Sequence, residues 1–267
     1  MFECYRNIIE DSLIKLLRRA NLSPILCESM EYSLIGGGKR IRPCLMLSVT
    51  EMLGGDLEKA IPFACALEMI HSYSLVHDDL PAMDNDDYRR GKLSCHKKYG
   101  EANGILAGDG LLTEAALILA EQEGYDDAKA SILNSALIMV SGQSYDLNES
   151  AWSEELLHLL HLQKTGALFC AATTAGAYLA GRPELVPSFA ELGKAIGLIF
   201  QITDDFLDAE KDALSKKLTF YTYYGKEKSL NYMKDQEAAA LKIIEPFQNA
   251  ASEELQKLIR SLADRKE

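Results

Sequence analysis

Apolar residues recur at three- and four-residue steps along most of the chain. In the first segment Ile8, Ile9, Leu13, Leu16 and Leu17 follow this rhythm, which places them on one buried helical stripe. No stretch shows the sustained alternation, bounded by turn signals, that is typical of strands. The pattern therefore predicts an all-α protein. The same rhythm predicts further helical stretches over residues 57–76, 111–120, 128–140, 154–180, 192–207 and 230–262.

Only short glycine- and proline-containing breaks join these segments, without a linker or an internal repeat. A chain of 267 residues can bury a large core. We expect residues 1–267 to form a single domain, a large bundle of about ten or more helices that binds its ligands between facing helices. The longest uncharged run, residues 165–181, is rich in Ala, Thr and Gly, whereas a membrane span needs about 20 strongly apolar residues. It predicts a buried helix and no membrane span.

The charge balance narrows the possible partners. Lys and Arg number 28 against 40 Asp and Glu, giving a net charge of -12. This argues against a nucleic-acid surface or a polybasic membrane patch, so local cations or a metal must hold any anionic ligand. The six cysteines are scattered singly, and no basic and then apolar leader opens the sequence. We therefore expect reduced thiols in a cytoplasmic protein.

A first carboxylate cluster follows the apolar helix predicted to end near residue 76. A solvated acidic turn is the alternative interpretation of such a run. A calcium loop of the EF-hand type is excluded, because Tyr88 and Arg89 occupy positions that it needs. Pro81 must break or bulge the helix within the cluster. The carboxylates are Asp78, Asp79, Asp84, Asp86 and Asp87.

A second carboxylate cluster lies inside a later apolar helix. Asp204 and Asp208 are one turn apart on one face, with Asp205 beside them. Two carboxylates this close repel each other unless a cation lies between them. Magnesium suits this arrangement, because it takes one or two protein carboxylates and completes its octahedron with waters and phosphate oxygens. The cluster predicts a metal site.

Cations are concentrated in two places. A glycine turn at residues 36–38 precedes Lys39, Arg40 and Arg42, where a new helix opens. Backbone N–H groups and guanidinium forks can form an anion cradle there, although a basic glycine turn alone is weak evidence for a ligand site. A second basic run, residues 89–92, directly follows the first aspartate cluster. Metal-binding and anion-binding groups side by side are what a metal diphosphate site requires.

Taken together, these motifs resemble the trans-prenyl diphosphate synthases of the polyprenyl synthetase family. Within that family the chain is similar to the bacterial short-chain enzymes that make farnesyl diphosphate, with Pro81 and Ala82 marking the bacterial form of the first aspartate motif. The resemblance implies the isoprenoid synthase fold, a helical bundle around a central apolar cavity. Order and spacing fit over most of the chain, in residues 36–43, 68–92, 108–112, 163–168 and 197–208.

The resemblance also implies roles for individual residues. About three magnesium ions would be held by Asp78, Asp84, Asp204 and Asp208, with Asp79 and Asp205 as neighbouring partners. The allylic diphosphate would be bound through these ions and by Arg89, Lys164 and Lys217. The diphosphate of isopentenyl diphosphate would be bound by Lys39, Arg42, His71 and Arg90, although His71 has the alternative of a hydrogen-bonded helix histidine. The carbocation would be stabilised by oxygens near Lys164, Thr165 and Gln201.

The implied reaction is a magnesium-dependent head-to-tail condensation of isopentenyl diphosphate with dimethylallyl or geranyl diphosphate. Diphosphate leaves the allylic substrate, the double bond of isopentenyl diphosphate attacks the resulting allylic cation, and a proton is lost to restore an alkene. Tyr73 and Ser74 precede Asp78 by about one turn, so their side chains project along the path of a growing tail. By resemblance, an aromatic residue there goes with a fifteen-carbon product, farnesyl diphosphate. Tyr73 could instead pack against a neighbouring helix, and geranylgeranyl diphosphate is the alternative product.

The sequence departs from the family after Asp208. The family continues with a longer segment before its K-x-T-[YF] element, whereas only residues 209–216 precede Lys217. Either the loop is lost or the sequence omits it, and the abrupt join favours omission.

Other functions remain as alternatives. A terpene cyclase or a head-to-head coupling enzyme has no use for Lys39, Arg42 and His71, because it binds no isopentenyl diphosphate. A non-catalytic subunit of the same fold stays open because of the short loop. Family members usually form homodimers, and residues 115–140 are a candidate surface for such contact.

Overall fold

The structure, a computed structural model, describes residues 2–17, 22–35, 37–148, 153–207 and 218–264. Of these residues 81% are helical and almost none lie in a sheet, so the prediction of an all-α bundle of about ten or more helices is confirmed. The N-terminal part consists of α1 (Phe2–Leu16), α2 (Pro24–Leu34), α3 (Ile41–Met52), α4 (Leu57–Asp78), β1 (Tyr88–Arg89), β2 (Lys92–Leu93), α5 (Cys95–Tyr99), α6 (Glu101–Glu121) and α7 (Asp126–Asn148). The C-terminal part consists of α8 (Glu154–His161), a π-helical segment (Leu162–Gly166), α9 (Ala167–Leu179), a 3-10 turn (Pro183–Leu185), α10 (Val186–Leu207), α11 (Phe220–Tyr224), α12 (Lys226–Ile244) and α13 (Ala250–Ala263).

Helices α4 and α9 form the centre of the bundle. Helix α4 packs against α3, α6 and α9, and α9 also packs against α7 and α10. Both central helices are apolar around most of their circumference, as expected for helices buried on all sides. Phe63, Leu67 and Ile70 of α4 are almost fully buried, so truncating any of them to Ala would cost about 2–5 kcal/mol. This packing fixes the end of α4, where the first aspartate motif begins.

Helix starts follow the expected capping chemistry. Asp56 accepts a hydrogen bond from the Glu58 backbone N–H at the start of α4. Thr219 and Asn249 form capping boxes at the starts of α11 and α13. The Thr219 cap is important for the site, because it fixes the chain directly after the segment that departs from the family.

Three local features differ from the pattern-based prediction. The helical stretch at 154–180 is present, but a π-helical turn interrupts it at Leu162–Gly166. The apolar rhythm over 230–262 comes from two helices, α12 and α13, because Asn249 caps a new helix. Tyr88 and Arg89 pair with Lys92 and Leu93 in a small antiparallel hairpin, which is too short to produce an alternation signal.

Two helices, Glu101–Glu121 and Pro183–Leu207, are long and apolar enough to cross a membrane by length and composition alone. Their apolar windows are 44% and 50% buried within the bundle. Core helices pass the same test, so it is weak evidence for a membrane span.

Candidate active site

Two adjoining cavities bring most of the sequence-predicted site residues together. The main cavity, of about 660 Å³, has Asp78 on one wall and Asp204 on another. The second cavity, here called the cationic chamber, has a volume of about 510 Å³. The predicted residues lining the main cavity are Arg42, His71, Tyr73, Ser74, Asp78, Arg89, Arg90, Lys164, Thr165, Gln201 and Asp204. The cationic chamber is lined by Lys39 together with Arg42, His71 and Arg90, which both cavities share.

The first aspartate motif lies where α4 stops. The backbone N–H of Asp84 donates to the carbonyl of Asp78 at 2.9 Å, and that of Asn85 donates to Leu80 at 3.1 Å, so the chain turns sharply around Pro81. The helix therefore breaks where Pro81 requires it. As a result, Asp78 stays on the cavity wall while Asp84 is exposed and outside the cavity lining.

The carboxylate of Asp78 could bind a cation in the main cavity. Within the described part of the chain it makes no hydrogen bond or ion pair. Burial, and to a lesser extent the charge of Asp84, raises its pKa to about 6. A hard divalent ion would hold this group in its charged form. The described residues include no group of three or more His, Cys, Asp and Glu side chains that could hold a metal by themselves.

Asp79 points away from the main cavity. Its carboxylate accepts a hydrogen bond from Arg89 Nε at 2.9 Å, and the side chain is almost fully buried. Arg89 also lies near Asp86, with 3.4 Å between Nη2 and Oδ2. Adjacent aspartates thus have different environments: Asp78 faces the cavity, and Asp79 holds an arginine that lines it.

On the second wall, a chain of hydrogen bonds connects three helices. The Thr165 hydroxyl donates to Gln201 Oε1 at 2.5 Å, and Gln201 Nε2 donates to Asp205 Oδ1 at 2.8 Å. The other oxygen of Asp205 accepts the backbone N–H of Phe220 at 2.8 Å. Asp205 is 2% exposed, so both of its oxygens are used inside the protein. Asp205 therefore fixes the orientation of the Gln201 amide and connects α10 to the start of α11. Its neighbour Asp204 lines the cavity.

Two predicted site residues, Asp208 and Lys217, lie outside the described residues. The roles assigned to them by resemblance therefore stay predictions.

The π-helical segment presents Lys164 and Thr165 to the main cavity. Lys164 Nζ lies 2.5 Å from Asp146 Oδ2 of α7. Helix α7 approaches closely because residue 142 is glycine: a Cβ atom there would lie 2.4 Å from the backbone N of Lys164. π-bulges are frequent at functional sites, where they redirect side chains.

In the cationic chamber, glycine shapes the turn between α2 and α3. Gly38 has φ +130°, and a Cβ atom on it would lie 2.6 Å from Nη1 of Arg90. Arg90 in turn donates to the carbonyl of Gly37. A side chain at Gly38 would displace the Arg90 guanidinium, so the glycine turn and the second basic run form one structure.

The three cations that follow this turn have different environments. Lys39 lines the chamber. Arg40 is buried, and its guanidinium bonds Glu10 at 2.8 Å and Glu68 at 2.7 Å. Two carboxylates neutralise Arg40, so it holds α1 to α4, whereas Lys39 and Arg42 remain directed at the cavities.

Arg42 and His71 form a half-buried pair between the two cavities. The Arg42 guanidinium lies 4.5 Å from the ring centroid of Phe169, and its Nε has no hydrogen-bond partner within the described residues. Burial lowers the pKa of Arg42 to about 10. Burial and the charge of Arg42 lower the pKa of His71 well below its usual value, so the ring is neutral. Since a guanidinium only donates, His71 Nε2, 3.4 Å from Arg42 Nη1, accepts, and Nδ1 carries the proton.

Tyr73 and Ser74 lie on the cavity wall about one helical turn before Asp78. Tyr73 is 5% exposed, and its ring meets His77 edge-on with 5.8 Å between centroids. The Ser74 hydroxyl donates to the carbonyl of His71 at 2.8 Å, so it is satisfied within α4. Of these two residues, Tyr73 therefore contributes the bulkier group to the cavity wall.

Sequence reasoning did not identify three residues that the fold brings to the site. Arg6 of α1 lines the cationic chamber, Asp146 pairs with Lys164, and Gln143 lines the main cavity. Each is a lone polar residue in an amphipathic helix, where the pattern is the same as for a solvent-facing position. The sequence Gly142-Gln143 was the one available signal, because a helix-interior glycine indicates a close approach.

Comparison with known proteins agrees with this geometry. The sequence profile of the polyprenyl synthetase family matches residues 23–259. A geranylgeranyl diphosphate synthase of Cyanophora paradoxa is 44% identical over 84% of this chain and 82% of its own length. A farnesyl diphosphate synthase of Micrococcus luteus is 38% identical over 98% of this chain and 96% of its own. The crystal structure of a geranyltranstransferase of Thermotoga maritima superposes with a TM-score of 0.88, at 33% identity, covering 99% of each chain.

An all-helical bundle with facing aspartates and an adjoining basic chamber defines a class of enzymes acting on prenyl diphosphates. The chain belongs to the polyprenyl synthetase family. It is a prenyltransferase with trans-prenyl diphosphate synthase activity, of a family that generally depends on metal. The alignment with the M. luteus enzyme spans 284 positions, more than the 267 residues of this chain, so this chain has gaps against that relative.

Proposed function

We propose that the enzyme condenses isopentenyl diphosphate with dimethylallyl and geranyl diphosphates and releases farnesyl diphosphate. The observation that carries this proposal is the pair of cavities that meet at Arg42, His71 and Arg90. One cavity has carboxylates that could hold a diphosphate only through metal, and the other has cations that could hold a diphosphate directly. Two diphosphates bound side by side are what a head-to-tail condensation requires.

Magnesium is the proposed metal. Asp78 and Asp204, with Asp84 and Asp208, would hold about three ions, which would neutralise the leaving diphosphate. The unpaired, partly protonated carboxylate of Asp78 fits this role, since cation binding would offset the cost of its burial. Asp79 and Asp205 would act through their neighbours, because their carboxylates already accept hydrogen bonds within the protein. Asp79 accepts from Arg89, and Asp205 accepts from Gln201 and from the backbone N–H of Phe220.

The protein's own groups would handle charge and position at the reacting carbon. Arg89 and Lys164, with Lys217, would bind the allylic diphosphate and stabilise it as it leaves. The Thr165 hydroxyl donates a hydrogen bond to Gln201, so the lone pairs of its oxygen are available to face the positive carbon. Lys39, Arg42, His71 and Arg90 would bind isopentenyl diphosphate and set its double bond against that carbon.

For chain length, we propose that Tyr73 blocks growth beyond fifteen carbons. Its nearly buried ring lies on the cavity wall about a turn below Asp78. The second candidate is a geranylgeranyl diphosphate synthase, which is favoured by the relative of that name at 44% identity.

Product sizing tests the function directly. The protein is incubated with magnesium, dimethylallyl diphosphate and isopentenyl diphosphate, and the products are separated by chain length. We expect farnesyl diphosphate as the main product. A twenty-carbon product would overturn the assignment of chain length, and a complete lack of product would favour a non-catalytic subunit.

The role of Tyr73 is tested by Tyr73→Ala, which should shift the product toward longer chains. Tyr178→Ala is the matched control, because Tyr178 is partly buried in α9 away from the cavity lining. An unchanged product distribution in Tyr73→Ala would contradict the assignment.

We also propose that the enzyme is a cytoplasmic homodimer that contacts its partner through α6 and α7. These helices expose a run of large apolar side chains, of which Leu106 and Leu137 are 53% and 67% exposed. Sedimentation of Leu137→Glu should show monomers where the parent shows dimers, whereas Leu159→Glu of α8 should stay dimeric. A monomeric parent protein would refute the proposal. The cytoplasmic location is supported by six free cysteines.

A further inference from the structure

Arg6 of α1 lines the cationic chamber, although no sequence motif of the site includes it. The profile of the polyprenyl synthetase family begins to match at residue 23, after α1 has ended. Within the described part of the chain the side chain of Arg6 is exposed and makes no hydrogen bond or ion pair. The guanidinium of Arg6 is therefore available to an anionic ligand in the chamber.

Helix α1 is fixed against the bundle on both sides of Arg6. The neighbouring Tyr5 is 2% exposed, and its hydroxyl donates to the carboxylate of Glu51 in α3. Glu10 follows Arg6 by one turn on the same face of α1 and pairs with Arg40, with 2.8 Å between Oε1 and Nε. Arg40 also lines the chamber. The face of α1 that carries Arg6 and Glu10 is thus turned toward the chamber.

The carboxylates near the chamber are matched by Arg40. Glu68, which lines the chamber, lies 2.7 Å from Nη1 of Arg40, and Glu10 pairs with the same guanidinium. Among the described residues neither carboxylate forms an ion pair with Arg6. The charge of Arg6 therefore adds to that of the cations already assigned to the diphosphate. Those that line the chamber are Lys39, Arg42 and Arg90.

The cations occupy two levels. Arg42 and Arg90 line both cavities and so lie at their junction, whereas Arg6 and Lys39 line the chamber alone. In the proposed reaction the carbon chain of isopentenyl diphosphate extends into the main cavity. The phosphate attached to that chain then lies at the junction, and the terminal phosphate lies farther into the chamber, on the side of Arg6. A guanidinium suits that position, because its fork can donate two parallel hydrogen bonds to phosphate oxygens.

We propose that Arg6 binds the terminal phosphate of isopentenyl diphosphate, so that α1 completes the substrate site. This inference rests on the proposed function. The diphosphate of isopentenyl diphosphate is kept in the product and takes no part in bond formation. Arg6 therefore contributes equally to binding of the substrate and of the transition state, which lowers KM without changing kcat.

The test is the substitution Arg6→Gln, which removes the charge at an exposed position and keeps a good helix former there. KM for isopentenyl diphosphate should rise about fivefold, with kcat and KM for geranyl diphosphate within about twofold of the parent values. Arg6→Lys keeps the charge but lacks the planar fork, so it should restore only part of the affinity.

Isopentenyl monophosphate separates a contact to the terminal phosphate from a general electrostatic attraction. This compound lacks the phosphate that Arg6 would bind. Its inhibition constant, measured in competition with isopentenyl diphosphate, should therefore be the same in the parent and in Arg6→Gln. A surface charge that acts only at a distance would weaken the binding of both compounds.

Lys15→Gln is the matched control. Lys15 is an exposed cation of the same helix, about two and a half turns after Arg6, and lies outside the lining of both cavities. Its substitution changes the net charge by the same amount. This variant should keep the parent KM for isopentenyl diphosphate.

Three results would overturn the inference. The first is an unchanged KM for isopentenyl diphosphate in Arg6→Gln. The second is an equal rise of KM in Lys15→Gln, and the third is an equal loss of affinity for isopentenyl monophosphate. A parent protein that forms no prenyl product would instead refute the proposed function. The contact is then still tested by thermal unfolding, because inorganic diphosphate without metal should raise the Tm of the parent more than that of Arg6→Gln.

Discussion

In the two cavities of the site, burial shifts the pKa values of groups of opposite charge in opposite directions. In the main cavity, burial raises the pKa of Asp78 to about 6. In the cationic chamber, burial lowers the pKa of Arg42 to about 10 and that of His71 well below its usual value. In both, burial disfavours the charged form of the group, and a ligand of opposite charge restores it.

The difference lies in what each cavity can bind without help. Carboxylates repel a diphosphate, so the main cavity needs a cation between protein and ligand. The cationic chamber contains Lys39, Arg42 and Arg90 and can bind a diphosphate directly. Occupancy of the main cavity by a diphosphate should therefore depend on metal, and occupancy of the cationic chamber should not, although the two share a wall.

The largest expected effect is that of Asp78→Asn. Loss of one charge that fixes the metal should lower kcat by about 10²–10³, in line with the loss of one preorganised electrostatic group. Thermal stabilisation by magnesium plus diphosphate should also be lost. The control is Asp87→Asn, since Asp87 belongs to the same motif but pairs with Lys97 instead. A variant at position 78 that kept more than a tenth of the parent rate would show that the main cavity does not need the charge of Asp78.

The next effect is that of Arg42→Met. Loss of a half-buried cation that would face the diphosphate should cost about 2 kcal/mol, so KM for isopentenyl diphosphate should rise about 30-fold. Inorganic diphosphate without metal should raise the Tm of the parent but not of this variant. Arg182→Met, which breaks an ion pair with Glu184, is the control and should behave like the parent. Metal-free diphosphate that fails to stabilise the parent protein would contradict the distinction between the cavities.

A smaller effect is expected on stability, where Asp205 and Asp79, each the second aspartate of an Asp-Asp pair in the sequence, should differ. Asp205→Asn replaces a buried carboxylate that accepts hydrogen bonds from Gln201 and from Phe220. It should lower the free energy of unfolding by about 2 kcal/mol and the Tm by about 4–8 °C. Asp79→Asn breaks a contact to Arg89, whose side chain is 36% exposed, and should cost about 1 kcal/mol or less. Urea unfolding of both variants measures the difference, and the reverse order would be evidence against a fixed second wall.

The smallest expected effect concerns the pH dependence of stability. The pKa of His71 is about 6.5 in the unfolded chain and well below that in the folded protein. As the pH falls below 6.5, the unfolded chain gains a proton that the folded protein does not, so stability falls. Between pH 7.5 and 5.5 the parent should lose about 1 kcal/mol more than His71→Gln. Thermal unfolding at several pH values measures this, and parallel curves would show that His71 is protonated in the fold.

Much of the fold and of the site could be predicted from residue order. Helical periodicity located the long helices, and Pro81 after Asp78 correctly indicated that α4 must stop there. The orientation of neighbouring residues could not be predicted in the same way. Arg40 and Arg42 differ because, among the described residues, Glu10 and Glu68 form ion pairs with Arg40 and not with Arg42. Such pairings depend on contacts between distant segments, which a local pattern does not contain.

The π-helical turn at Leu162–Gly166 accommodates one residue more than a regular helical turn would hold. Deleting one residue from this segment would allow a regular α-helix to form without a break. The faces of α8 and α9 would keep nearly the same orientation, because the wider turn already absorbs the extra residue. His158 of α8 would therefore keep its tyrosine partners, Tyr224 and Tyr232. The change would fall on Lys164 and Thr165, which the π turn presents to the main cavity. A one-residue deletion here should therefore leave the bundle folded and disable the site.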